Sequence, residues 1–358
     1  MTTMSNIPSK GRGAQSNPDC RYQAQSREST SDDWFVDTDD LPKPKTSVRP
    51  EHSKSILSRN QSPDVPFSVS INPYRGCEHG CIYCFARPTH AYLDLSPGLD
   101  FETQLVAKPD APALLRKALA KRNYVCQPIA LGSNTDPYQP IERAHVITRQ
   151  LLEVLLEHRH PVAIVTKSSM VERDIDILAK LAQDNLVQVM ISICTLDKEL
   201  ARTMEPRAST PQRRLQTIAR LHEAGIPVGV LVAPIIPVLN DPEIETILQR
   251  CTELGVSSAG YVMLRLPLEV APLFEEWLHT HYPLKAEHVL TRIRDTRDGE
   301  LYRAQFGQRM HGSGAFAAII GRRFEAACQR LDLGGREMTL NTQLFRVPVQ
   351  ENDQLALF

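Results

Sequence analysis

Six short runs rich in apolar and β-branched residues alternate with amphipathic helical stretches between residues 67 and 264. The predicted strands are 67–71, 128–131, 162–166, 187–193, 227–233 and 260–264, and the predicted helices between them are 113–122, 141–157, 174–183, 212–224 and 243–254. Runs such as 227–233 are apolar on both faces, as buried parallel strands are. The alternation therefore predicts a parallel α/β sheet. The period alone does not distinguish a curved, open barrel from a flat, doubly wound sheet.

The rest of the chain divides around this core. The 358 residues suffice for one large α/β domain or two smaller ones. Residues 1–60 are polar, without helical or strand periodicity, and are predicted to form a disordered tail. Residues 61–267 form the predicted α/β domain. Residues 268–358 form a C-terminal extension, which begins with a helical stretch and continues with nine Lys or Arg against five Asp or Glu over residues 285–330.

The composition of the chain disfavours several classes of protein. The formal net charge is -1, which gives no support to a histone-like or acidic-tail protein. The N-terminus lacks the apolar core of a signal peptide, and no stretch approaches the about 18 apolar residues of a membrane span. Three of the eight cysteines lie close together and the others are scattered, unlike a disulfide framework. The sequence predicts a cytoplasmic protein with no membrane segment.

Three cysteines follow the first predicted strand with the spacing C-x3-C-x2-C, at Cys77, Cys81 and Cys84. Thiolates are soft ligands that suit iron–sulfur clusters, copper(I) or zinc, and Gly76 and Gly80 let the loop turn tightly. A closed zinc site needs four ligands, whereas a cubane held by three thiolates leaves one iron open. We expect an iron–sulfur cluster here. The alternatives are a zinc site completed by His79 or His90, and three unrelated buried cysteines.

The cysteine motif has an aromatic residue before its last cysteine, and its surroundings read NPYRGCEHGCIYCFARPTH, followed later by LGSNTDPYQPIE. Over roughly residues 55–347 the chain resembles the radical S-adenosylmethionine (SAM) superfamily, and within it the subgroup related to spore photoproduct lyase. The resemblance implies a partial (β/α)6 barrel with a [4Fe–4S] cluster at its C-terminal mouth. It also implies that SAM binds the open iron and is split into methionine and a 5′-deoxyadenosyl radical.

The resemblance also implies positions that hold SAM. After the second strand the superfamily often has a Gly-Gly-Glu motif for the methionine amine. This chain lacks that motif and has Ser133, Asn134 and Asp136 there instead. The alternative for these residues is an Asx turn that caps the helix beginning near Pro140.

Four further residues are candidates around the cofactor. Tyr83 matches the aromatic position near the adenine, or else packs beneath the loop. Lys167 is a candidate for the cofactor carboxylate, or else a solvated lysine beside a helix cap. Ser192 matches the position that often binds the ribose. Cys194 shares the predicted face of Ser192 and is a candidate hydrogen-atom donor, although a single buried cysteine usually serves packing.

The arginines divide into two groups. Arg265 follows the sixth strand and is the better candidate for binding an anionic substrate, whereas Arg207, Arg213 and Arg214 are predicted to form a solvated face. The basic stretch at the C-terminus leaves nucleic acid open as a partner, through Arg303, Arg309, Arg322 and Arg323.

Three functions follow in order of preference. The first is a radical SAM enzyme of unknown substrate that takes electrons from a flavodoxin or ferredoxin. The second is repair of a nucleic-acid lesion, although the loop after the second strand lacks the hydrogen-donor cysteine known for the lyase. The third is a non-enzymatic zinc module that binds RNA or protein, which the single cysteine cluster disfavours.

Overall fold

A computed structural model describes residues 11–22, 45–335 and 339–348. Its main sheet has seven strands among these residues, in the order β10-β9-β8-β7-β6-β3-β2. These strands are β2 (Leu57–Arg59), β3 (Val69–Ile71), β6 (Ile129–Leu131), β7 (Val162–Thr166), β8 (Val187–Ser192), β9 (Val228–Ile235) and β10 (Ser258–Met263). The six predicted strands are all present, with ends that shift by a few residues.

The strand order decides between the two sheet types. The six strands β3, β6, β7, β8, β9 and β10 are parallel, and each pairs with the next strand of this set. Strand β2 pairs antiparallel with β3 at the edge of the sheet. A doubly wound sheet reverses its strand order at a switch point, and this sheet does not. The strand order is that of a partial, open barrel, which confirms the predicted fold class.

Helices cover the outer face of the sheet. The described α-helices are α1 (Asp100–Thr103), α2 (Ala111–Leu119), α3 (Glu142–His145), α4 (Ile147–Glu157), α5 (Ile175–Gln183), α6 (Lys198–Met204), α7 (Pro211–Glu223), α8 (Ile244–Thr252), α9 (Val270–His281), α10 (Ala286–Asp295) and α11 (Gly314–Arg330). The predicted helix 141–157 is two helices, because Val146 adopts a left-handed conformation with φ of 54°. The largest apolar core lies between the strands and helices α2, α4, α5, α7, α8 and α11.

Side-chain alternation along β9 separates the two faces of the sheet. Val230 and Val232 are buried in the core beneath the helices. Leu231 and Ala233 point the other way and form a small apolar cluster with Met190 on the inner face. The inner face is therefore available for a site at the C-terminal ends of the strands, where barrel enzymes have theirs.

Part of the predicted disordered tail is ordered. A second sheet of order β1-β5-β4 includes β1 (Ser47–Pro50), together with β4 (Tyr74–Arg75) and β5 (Gln104–Ala107). Strand β2 also precedes residue 60. The prediction failed here because these strands are short and half-exposed, so their sequence carries little apolar pattern. The predicted tail residues 1–10 and 23–44 lie outside the described residues.

The C-terminal extension is helical over much of its length. Helices α9 and α10 pack on each other, and α11 packs against α8 and α10. The boundary predicted at residue 267 stays a prediction. No described helix combines the length and the apolar character needed to cross a bilayer.

Candidate active site

The loop that carries the three cysteines, residues 76–84, is termed the cysteine loop. Its backbone is held by hydrogen bonds from Cys77 N to Phe101 O (2.9 Å) and from Ile82 N to Met204 O (3.0 Å). Gly76 and Gly80 have φ of 72° and 68°, a region that favours glycine. Cys77 and Cys81 are buried, Cys84 is half-buried, and all three are free thiols.

The three thiols share one environment. Burial raises the pKa of Cys77 well above its usual value, and the charges of Asp136, Cys81 and Cys84 add to that rise. Burial likewise raises the pKa of Cys81 and Cys84, while the backbone amides of Ala86 and Arg87 partly offset that rise for Cys84. Metal coordination deprotonates a thiol outright, so a bound metal group would remove the cost of ionising these buried sulfurs. The donor set therefore fits a thiolate-bound cluster.

The structure gives the predicted zinc alternative no support. In the described ranges, no three His, Cys, Asp or Glu side chains converge to hold a single metal ion. In a cluster each thiolate binds a different iron, so its sulfurs need not converge in that way. His79 Nδ1 lies 3.4 Å from Asp136 Oδ2, and His90 Nε2 lies 2.9 Å from the Gln104 carbonyl oxygen. Each histidine thus has one partner other than the cysteines, while His90 Nδ1 is buried with no hydrogen-bond partner among the described residues.

A buried ion pair contacts the backbone of the cysteine loop. Arg87 and Glu102 are fully buried and lie 2.5 Å apart. Arg87 also donates to the carbonyl oxygens of Gly80 (3.1 Å) and Cys81 (3.0 Å). This pair was not predicted from the sequence, because isolated charged residues in a sequence indicate solvated positions by default.

A cavity of about 580 Å³ opens beside the cysteine loop, at the C-terminal ends of the parallel strands. Five of the predicted cofactor residues line it, namely Tyr83, Ser133, Asn134, Lys167 and Ser192. They come from separate stretches of the chain, and the parallel order of the strands brings them together.

Lys167 links this cavity to a buried charge network. Its Nζ donates to Ser192 Oγ (2.9 Å) and lies 3.9 Å from Glu205 Oε1. Burial opposes the charge of Lys167, but Glu205 outweighs that effect and the pKa of Lys167 is raised. Glu205 also accepts hydrogen bonds from the Tyr83 hydroxyl and from Arg214. Lys167 is therefore a cation at the cavity wall, and Tyr83 is anchored by its hydroxyl.

Arg214 corrects the prediction of a solvated arginine face. Its side chain is 2% exposed and pairs with Glu205, which is 1% exposed. Arg207 and Arg213 instead pair with Glu78 and Glu172 nearer the surface. The sequence signal was weak, because nothing local separates Arg214 from its neighbour Arg213.

Asp136 stands apart from the other residues that follow the second predicted strand. Its carboxylate accepts from Thr166 Oγ1 (2.7 Å), from Lys167 N (2.8 Å) and from Tyr138 N (2.9 Å), and it is not among the residues lining the cavity. The bond to Tyr138 N is the Asx turn considered as an alternative. Asn72, which was not predicted, accepts from the amide of Asn134 (3.0 Å) and fixes the same loop.

Cys194 lies outside the residues that line the cavity. The strand β8 ends at Ser192, so the alternation that was predicted to pair the two side chains does not continue to Cys194. The thiol is buried 3.4 Å from Glu205 Oε1. Its role as a hydrogen-atom donor stays a prediction that this position does not favour.

Arg265 lines the cavity together with Phe85. Its guanidinium carbon lies 4.8 Å from the centroid of the Phe85 ring, and one amino group contacts Met310 Sδ at 3.5 Å. The Arg265 Nε is buried and has no hydrogen-bond partner among the described residues. The side chain therefore keeps donor capacity at the cavity.

Three of the four C-terminal arginines considered for nucleic acid are paired with carboxylates. Arg303 lies 2.6 Å from Asp298, Arg309 lies 2.5 Å from Asp64, and Arg323 lies 2.7 Å from Glu245. These three arginines are therefore not free cations for a phosphate backbone. Arg322, the fourth, has no carboxylate partner among the described residues and lines a separate cavity.

Comparison with known proteins agrees with this geometry. The Radical SAM superfamily model matches residues 71–251. An uncharacterized protein of Mycobacterium tuberculosis is 37% identical over 67% of this chain and 68% of its own length. A radical SAM Nalpha-GlyT isomerase of Pseudomonas phage M6 is 22% identical over 70% of this chain and 47% of the enzyme. The structure of spore photoproduct lyase complexed with dinucleoside spore photoproduct superposes with a TM-score of 0.58 at 16% identity, covering 80% of each chain.

Proposed function

The chain belongs to the radical SAM superfamily, and we propose that Cys77, Cys81 and Cys84 hold a [4Fe–4S] cluster with one iron left for S-adenosylmethionine. Membership of this superfamily implies that the protein is an enzyme and that it uses an iron–sulfur cluster and SAM. A reduced cluster held there would supply the electron that splits SAM into methionine and a 5′-deoxyadenosyl radical, and that radical would abstract hydrogen from a substrate. The observation that carries the proposal is the position of three neighbouring thiols, two buried and one half-buried, on a loop beside a cavity lined by five candidate cofactor residues.

In this proposal, different cavity residues contact different parts of SAM. Lys167 provides a positive charge for the cofactor carboxylate, and its bond to Ser192 fixes both side chains. Ser192 offers a hydroxyl to the ribose, and Tyr83 offers its ring to the adenine. Ser133 and Asn134 offer polar atoms to the methionine amine. Asp136 serves the same loop indirectly, by holding the backbone of Lys167.

The inner wall of the cavity keeps water from a reactive intermediate. Val165, Leu231, Ala233 and Met263 supply apolar surface between the polar residues. Exclusion of water and of competing reactions is what a protein contributes to a cofactor's radical chemistry.

The substrate carries an anionic group in this proposal. Arg265 faces the cavity with a buried Nε that lacks a partner in the described residues, and its planar group is held against Phe85. A carboxylate or phosphate would complete its hydrogen bonds. The electron donor would be a flavodoxin or ferredoxin. Nucleic acid and a zinc module rank below this function, because Arg303, Arg309 and Arg323 are paired with carboxylates, and because His79 Nδ1 and His90 Nε2 have other partners.

The test is anaerobic reconstitution with iron and sulfide. We expect about four irons per chain, on the proposal's own stoichiometry, and release of 5′-deoxyadenosine after reduction in the presence of SAM. Cys84→Ala should abolish both. Cys126→Ala is the matched control, because Cys126 is equally half-exposed and belongs to no cluster. A protein that takes up zinc instead of iron, or that leaves SAM intact, would refute the proposal.

A further inference from the structure

Residues 11–22, termed the N-terminal strap, lie against the cysteine loop more than fifty residues before it in the sequence. The strap has no helix or strand, yet Ala14 is fully buried and Gln15 and Cys20 are 8% and 3% exposed. Its burial cannot come from an apolar pattern, because most of its side chains are polar. It depends instead on hydrogen bonds made by its backbone.

The carboxylate of Glu102 is the centre of these bonds. It accepts from Gly13 N (3.0 Å), from Ala14 N (2.8 Å) and from Arg87 (2.5 Å). Arg87 in turn donates to the carbonyl oxygens of Gly80 and Cys81. A continuous set of hydrogen bonds therefore runs from the strap, through a buried ion pair, to the backbone of a candidate cluster ligand.

Gly13 makes the closest approach. A Cβ atom built on Gly13 would lie 1.8 Å from the Gly80 carbonyl oxygen and 3.3 Å from Ile82 N. Both are backbone atoms, which cannot move aside as a flexible side chain would. Only glycine fits this contact, so a side chain at residue 13 has to separate the strap from the cysteine loop.

The far end of the strap is anchored to two helices. Asn17 and Asp100 exchange two hydrogen bonds of 3.0 Å each. Ser16 Oγ donates to Glu276 on α9 (2.6 Å), and Arg21 pairs with Glu269 just before that helix. The strap is thus fixed at both ends across the cysteine loop.

We propose that the N-terminal strap is a positioning element of the iron–sulfur site, which holds the backbone of Gly80 and Cys81 and covers the outer side of the cysteine loop. The inference rests on the proposed function for its biological meaning. Glu102 and Arg87 transmit the position of the strap to the loop. None of the strap residues lines the cavity described above, so the strap contacts the loop outside that cavity.

The experiment compares full-length Gly13→Ala with Gly335→Ala, where an added Cβ meets nothing within 4 Å. The first readout is loss of iron from the reconstituted protein to a chelator, followed by visible absorption. The second is alkylation of the metal-free protein by iodoacetamide, read by mass spectrometry at Cys81 and at the remote core residue Cys251. We expect Gly13→Ala to accelerate iron loss and Cys81 alkylation at least tenfold, with Cys251 and the Gly335→Ala protein unchanged.

Unchanged rates at Cys81 and for iron loss, in a Gly13→Ala protein with wild-type circular dichroism, would overturn the proposal. If that variant does not fold, Asn17→Ala removes one anchor and should give a several-fold acceleration, and equal rates there count against the strap. If wild-type protein takes up no iron, the proposed function fails. The alkylation rates then still decide whether the strap covers the cysteine loop.

Discussion

Replacement of Glu205 by glutamine tests the charge network behind the cavity. Glu205 accepts from Arg214 and the Tyr83 hydroxyl, and Lys167 Nζ lies 3.9 Å away. Burial opposes the charge of Glu205, but Arg214 and Lys167 outweigh it and its pKa is lowered, so the carboxylate is ionised. Glu205→Gln keeps the size of the side chain and removes that charge.

The expected cost follows from burial. The side chains of Glu205 and Arg214 are 1% and 2% exposed, so water cannot replace the lost partner. Removal of one member of a buried pair costs about 3–5 kcal/mol, because the remaining charge is left uncompensated. The surface pair of Glu199 and Arg202, with side chains 71% and 72% exposed, is the comparison, and Glu199→Gln should cost no more than about 1 kcal/mol.

Urea unfolding of the metal-free proteins measures both free energies of unfolding. Adding Arg214→Met to Glu205→Gln should recover part of the loss, since the uncompensated guanidinium is then gone. Recovery should be incomplete, because Arg214 also donates to the carbonyl oxygens of Ser192 and Ser209, each at 2.8 Å. The reasoning fails if Glu205→Gln destabilises no more than Glu199→Gln.

Three further predictions concern the cavity and the core. Lys167→Met should weaken SAM binding about tenfold, or about 1.4 kcal/mol, with iron content unchanged; equal affinity in equilibrium dialysis would contradict the role of its charge. Arg265→Met should leave substrate-free formation of 5′-deoxyadenosine unchanged and reduce deuterium-labelled product from a cell extract in heavy water; unchanged product would remove Arg265 from substrate binding. Burial lowers the pKa of His160 to about 4 from 6.5, so its contribution to stability is complete above pH 6.5 and is lost as pH falls toward 4. The loss at pH 5 should be about 2 kcal/mol, seen as a smaller difference between pH 7 and pH 5 unfolding in His160→Gln than in wild type.

The strands could be predicted because each buried strand is a continuous run of apolar residues in the sequence. Residues 162–166 are a continuous apolar and β-branched run, and β7 has those same bounds. Helix α11 was not predicted, because Gly321, Arg322 and Arg323 interrupt its apolar face within a stretch rich in arginine and glycine. The order of the strands in the sheet depends on pairing between residues that are distant in the sequence. The spacing of apolar residues within one strand does not predict that order.

Some residues of the candidate site could likewise be predicted from the sequence, and others could not. Cys77, Cys81 and Cys84 were found by spacing, and Lys167 and Ser192 by their places at strand ends. Glu102 and Glu205 were missed because a buried carboxylate has the same letter in the sequence as a solvated one. Its burial depends on partners that only the folded chain brings near, such as the amides of Gly13 and Ala14 for Glu102.

The strap has a consequence for the order of biosynthesis. Residues 11–22 are synthesised before the cysteine loop, but the partner of Ser16 is Glu276, 260 residues later in the chain. The strap cannot reach its final position until α9 has been made, by which time the cysteine loop and the parallel strands already exist. On the proposal that the strap covers the loop, the loop is therefore uncovered until α9 has been made, so metal delivered before and after that point meets different surfaces.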